Sequence, residues 1–146
     1  MNDLGALALA GAGFTVLVGL GWWIGRRKDK RLAASRPGMT PETFVKALRK
    51  RGADADIADA VYDWIVVYYS RETPPNADDR MREDVPIDLE DIEAFVTAFF
   101  EKNGLPAPHP GDPDAMPDPW ESTLSSFAVD LTRRRAALRG RAEARA

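Results

Sequence analysis

The sequence predicts an all-α protein: one N-terminal transmembrane helix followed by a small cytoplasmic helical bundle of about four helices. Three observations carry this reading. Leu4 to Ile24 is an unbroken run of 21 uncharged residues, the body that follows repeats apolar residues at helical spacing, and only one short segment has strand-like composition.

A helix rises about 1.5 Å per residue, so the run just crosses a hydrocarbon core of about 30 Å. Its strongly apolar residues, Phe14, Leu17 and Ile24 among them, contribute about −0.3 to −0.6 kcal/mol each near the helix centre, where one Asp or Arg would cost about +3. None is present. Trp22 and Trp23 close the run, where indoles favour the headgroup region, and Arg26, Arg27, Lys28, Lys30 and Arg31 follow directly. Cationic flanks stay inside, so the reading is a single-pass protein of a bacterial-type inner membrane, N-terminus outside and C-terminal domain cytoplasmic. A cleaved secretory signal would need bases ahead of the apolar run, and Met1-Asn2-Asp3 supplies none. Gly21 and Gly25 form a small-xxx-small pair through which two such helices can approach as a homodimer.

Charge is segregated along the chain. Residues 1–36 carry a net +4, residues 37–131 a net −12 and residues 132–146 a net +5. An acidic body repels nucleic acid, which is not an expected partner, while the lipid bilayer and a protein partner are. With no cysteine, neither a disulfide framework nor a thiolate metal site can form. The single histidine, His109, lies between two prolines and reads as a solvated loop residue.

The elements follow in order. Thr40-Pro41 supplies a capping hydroxyl and a first-turn proline ahead of Phe44, Val45 and Leu48, and Gly52 stops this helix. A second helix starts near Asp54 or Asp56 and carries Ile57, Val61, Trp64, Ile65 and Tyr68 on one side and Tyr62, Val66 and Tyr69 on another. Its end, Trp64 to Tyr69, is β-branched and aromatic, so propensity alone would make it a strand. The surplus aromatic surface there is core or a partner-facing groove. After a polar loop over 71–86, Asp88 caps a third helix with Glu90, Asp91 and Glu93 in its first turns, where the helix dipole stabilises acids. Ile92, Phe95, Val96, Phe99 and Phe100 form its buried stripe, and Asn103-Gly104 ends it. Six prolines in residues 105–119 require an extended connector. Asp118-Pro119-Trp120-Glu121 resembles a capping box opening a last helix with Leu124, Phe127, Ala128, Leu131 and Leu138 on one side, its arginine-rich end fraying.

The segment Val85-Pro86-Ile87-Asp88-Leu89-Glu90-Asp91-Ile92-Glu93, with the helix order around it, resembles the acyl-carrier-protein-like four-helix fold over about residues 55–138. In carriers the corresponding position is the serine that holds phosphopantetheine; here it is Asp88, which cannot be the attachment hydroxyl. The resemblance therefore implies a degenerate carrier without the cofactor. It would keep an acidic recognition helix, in which Asp88, Glu90, Asp91 and Glu93 contact a basic partner.

The acidic pairs Asp54/Asp56 and Asp78/Asp79 lack the glycine and closing glutamate of a calcium loop, and no phosphate loop, nucleophile elbow or histidine relay is present. No cofactor, metal site or enzymatic activity is expected. The expected organisation is a transmembrane anchor over 1–25, a basic juxtamembrane linker over 26–38 and three helices over 39–104. A Pro-rich connector over 105–119, a last helix over 120–138 and an Arg-rich tail over 139–146 complete it. The tail arginines either fold back on the acidic body or touch anionic lipid. Function reads as a membrane-tethered, non-enzymatic adaptor; the alternatives are an accessory subunit of a membrane complex or a working carrier protein.

Overall fold

The computed structural model describes residue 36 and residues 38–70, 73–107, 109 and 116–144. The expected membrane span, with Trp22, Trp23, Gly21, Gly25 and the cations Arg26, Arg27, Lys28, Lys30 and Arg31, lies outside the described residues. Among the described residues no helix is long and apolar enough to cross a membrane. The chain divides into a unit Met1–Pro37 and a unit Gly38–Ala146.

Helix α1, Pro41–Lys50, opens as its sequence requires. The Thr40 hydroxyl accepts from Thr43 N, and the Thr43 hydroxyl accepts from Thr40 N at 2.7 Å. The helix buries Phe44 and Leu48 and stops at Gly52, whose φ of +107° favours glycine. Helix α2, Ala55–Ile65, buries Ile57, Ala58, Val61 and Ile65. It ends before the expected Tyr69: Val66–Tyr68 tightens into a 3-10 turn, where the branched Val66 and Val67 no longer crowd a preceding α-turn. No strand forms among the described residues; the only pairing there is an isolated bridge between Arg80 and Thr123.

The loop expected to be merely polar is part of the core. Alternate residues Thr73, Pro75, Ala77, Asp79 and Met81 are buried, the period of an extended segment laid on the bundle. It leads into a short helix, α3 (Met81–Asp84), and Val85 and Ile87 are buried after it. Helix α4, Leu89–Lys102, is capped by Asp88, whose carboxylate accepts from Asp91 N at 3.0 Å, and buries Ile92, Phe99 and Phe100. Gly104, at φ +67°, follows its end.

The expected start of the last helix is displaced. Asp118 caps only a 3-10 turn, Pro119–Glu121, and helix α5, Leu124–Glu143, begins with a capping box between Thr123 and Ser126. Ser122, at extended backbone angles, separates the two. The distant loop satisfies the first α5 amides: Leu124 N donates to Asp79 O and Ser125 N to Ala77 O, both at 2.9 Å. In return Met81 N donates to Ser122 O at 3.0 Å. The helix continues through 139–143, so that much of the expected Arg-rich tail is helical.

Helices α1, α2 and α5 pack on one another, and the buried apolar residues of the core all fall between Phe44 and Leu131. Gly38–Ala146 thus carries its own hydrophobic interior.

Candidate partner-binding surface

Four acids are the candidate contact residues, and their local roles differ. Asp88 is exposed and caps α4. Asp91 is half-buried, and the pKa of Tyr68 is pushed up by burial first and then by the nearby Asp91 and Asp88 carboxylates. Glu90 and Glu93 are exposed, and no ion pair among the described residues engages either. Asp88 therefore serves the fold as well as the surface, while Glu90 and Glu93 present charge to solvent. At the position where the carrier resemblance would place an attachment serine, the Asp88 carboxylate closes the helix start.

The acids of the two pairs Asp54/Asp56 and Asp78/Asp79 are engaged by arginines, by a tyrosine hydroxyl or by the backbone. Arg135, buried on α5, donates through Nη2 to Asp54 Oδ2 and Asp56 Oδ1, both at 2.8 Å, with a further contact from Nη1 to Asp56. Its guanidinium carbon lies 5.9 Å from the Phe99 ring centroid. Asp54 N donates to Thr132 Oγ1 at 3.1 Å, so the start of α2 is held on α5 by both backbone and side chain. Arg51 reaches from the end of α1 to Asp78 and to Ser125 Oγ, and buried Asp79 accepts from the Tyr69 hydroxyl and from Asn76 N. The acidic pairs that the sequence sets beside a calcium motif are thus drawn into structural contacts. Among the described residues no group of three or more His, Asp or Glu is placed to hold a metal.

Arg134 is also buried, whereas Arg133 and Arg139 are exposed, Arg133 beside Asp130 at 3.6 Å and Arg139 reaching Asn103. The arginine-rich segment consequently splits between inward and outward side chains. His109 is exposed, as expected, and with Leu105, Pro106, Arg134, Leu138 and Arg141 lines a cleft of about 470 Å³.

Sequence reasoning missed the partner of Trp64. The half-buried indole stacks on Phe95 of α4, ring centroids 4.2 Å apart and planes 12° apart, and both rings meet the buried Phe127. The only signal for it was the excess of aromatics on α2.

These ion pairs set an acid limit on stability. Hydrogen bonds from Arg135 and Arg51 hold the Asp56 and Asp78 carboxyls below the usual range. A depressed carboxyl adds stability that is complete above its unfolded pKa of about 4 and is lost as pH falls through the lower folded value. Burial pushes Asp130 up instead, so its protonation on acidification offsets part of the loss. Both paired carboxylates are well exposed, 65% and 67%, so solvent screening keeps each contribution under about 1 kcal/mol. The melting temperature is expected to fall below about pH 4, and Asp56→Asn with Asp78→Asn should flatten that fall; an unchanged acid slope in calorimetry would contradict the assignment.

Comparison of the chain with protein-family models, with curated proteins and with solved structures finds no match.

Proposed function

We propose that the chain is a single-pass inner-membrane protein that holds a small acidic helical interaction domain at the cytoplasmic face, as an adaptor and not as an enzyme. The observation that carries this reading is the contrast among the acids. Asp54, Asp56, Asp78 and Asp79 are taken up by internal contacts, while Glu90 and Glu93 stand exposed on one helix. Surface charge that the fold does not use is available to a basic partner, and a membrane tether raises the local concentration of whatever binds. The apolar run over 4–24 and the cations after it supply the anchor and its orientation. Descent from a carrier protein is not required by this reading.

The test is affinity capture of the full-length chain from solubilised membranes. Glu90→Lys with Glu93→Lys is expected to abolish co-purification of the partner, and Gly21→Leu with Gly25→Leu to leave it intact. The opposite pattern would favour an accessory subunit recognised through its membrane helix. Protease added outside intact spheroplasts is expected to spare the C-terminal domain.

A further inference from the structure

Helix α1 has two opposed sides. Phe44 and Leu48 are fully buried, whereas Lys46, Arg49 and Lys50, at i, i+3 and i+4, share a second face. At about 100° per residue that face lies opposite the buried one, and all three of its cations are exposed. Glu42, one turn before Lys46, is the acid on the same side. Among the described residues Arg51 pairs with Asp78, Arg80 with Glu83, Arg82 with Glu121 and Arg135 with Asp54 and Asp56, but no ion pair engages Lys46, Arg49 or Lys50. Arg49 and Lys50 complement the dipole at the last turn of α1; Lys46 lies one turn earlier, outside that role. Residues 41–51 thus hold four bases against one acid inside a body, residues 37–131, whose net charge is −12.

We infer that this outer face of α1 lies on anionic phospholipid headgroups at the cytoplasmic surface of the membrane. The inference rests on the anchor in the proposed function and adds how the domain is oriented beside it. Charge complementarity names the occupant: a leaflet with anionic lipid attracts clustered lysine and arginine and repels the acidic remainder of the domain. Chain length supplies the proximity. Pro41 follows Ile24, the last residue of the apolar run, by seventeen positions, a path that spans at most about 60 Å. An anchor therefore confines α1 more closely than any later helix, and the five cations among residues 26–31 attract the same headgroups. The attraction decays within a Debye length of about 8–10 Å, so a face laid on the headgroups gains most from it. Nucleic acid would have to approach against the net charge of the body, with no tether to hold it there.

The chain has no cysteine, so a single fluorophore can be placed by Glu42→Cys on the basic face or by Glu93→Cys on α4. Full-length chain is reconstituted in phosphatidylcholine nanodiscs, with or without phosphatidylglycerol, that carry a nitroxide-headgroup lipid as a contact quencher. Quenching at position 42 is expected in the anionic discs and absent at position 93. It should fall to the phosphatidylcholine level in Lys46→Gln with Arg49→Gln and Lys50→Gln, and again in about 0.5 M salt, where charges are screened. Equal quenching in the two lipids, at the two positions, or with and without the triple substitution overturns the proposal and leaves the anchor standing. A chain that does not enter the discs overturns the anchor and this proposal with it. Absent quenching, together with saturable binding of duplex DNA that the triple variant loses, would assign the face to nucleic acid instead.

Discussion

Phe127→Ala is expected to cost about 3–5 kcal/mol of stability, the range for emptying a buried aromatic site. The ring has no exposed surface and lies 5.7 Å from Trp64 and 6.1 Å from Phe95, so its removal opens a void where α5 meets the aromatic seam. Domains of this size are stable by only about 5–15 kcal/mol, so the variant should be largely or marginally folded according to where the parent lies. Urea titration followed by tryptophan fluorescence should show the midpoint fall with the slope retained. Phe127→Leu, which refills most of the space, should recover much of the loss. A midpoint shift worth less than about 1 kcal/mol would mean that Phe127 does not hold this junction.

The second large effect concerns Arg135. Removing its acceptors by Asp54→Ala with Asp56→Ala leaves a guanidinium that is 6% exposed without its two carboxylates. Breaking a fully buried pair from one side costs about 3–5 kcal/mol; here the carboxylates are 54% and 65% exposed, so water replaces part of the contact and about 2–3 is expected. Arg135→Met removes the buried charge while keeping most of the stem that packs near Phe99, so it should cost less than the double variant. Thermal unfolding of both measures the order. If Arg135→Met were the worse of the two, the hydrogen-bonded pair would be contributing net stability and the desolvation argument would fail.

Local signals were legible in the sequence and distant ones were not. Thr40-Pro41, Asp88, Gly52 and Gly104 mark boundaries because capping and positive φ depend on neighbouring residues alone, and the helices begin or end at them. The stripes Phe44/Leu48 and Ile92/Phe99 were readable from spacing, and they are buried. Asp118-Pro119 and Thr123 are both good caps, so the sequence alone points to an earlier start of the last helix, and only the docking of the 77–81 loop selects Thr123 for the long helix. The Arg135 pairs span about eighty residues of sequence, which no local pattern encodes. Of the candidate contact acids, the capping role of Asp88 is legible because Asp88 stands directly ahead of its own helix, whereas the influence of Asp91 on Tyr68 is not, because the two are brought near each other only by the fold. The residues expected to form a membrane anchor are read from composition alone.

The mutual stitching of Met81 to Ser122 and of Leu124 to Asp79 brings the two ends of the intervening stretch to a single point. The acidic helix α4 lies between these pinned ends with its inner stripe in the core. Provided that Ile92, Phe95, Phe99 and Phe100 are kept to fill the interior and meet Trp64 and Phe127, the outward residues of α4 can change without disturbing α2 or α5. The outward charge can then change while the scaffold stays constant.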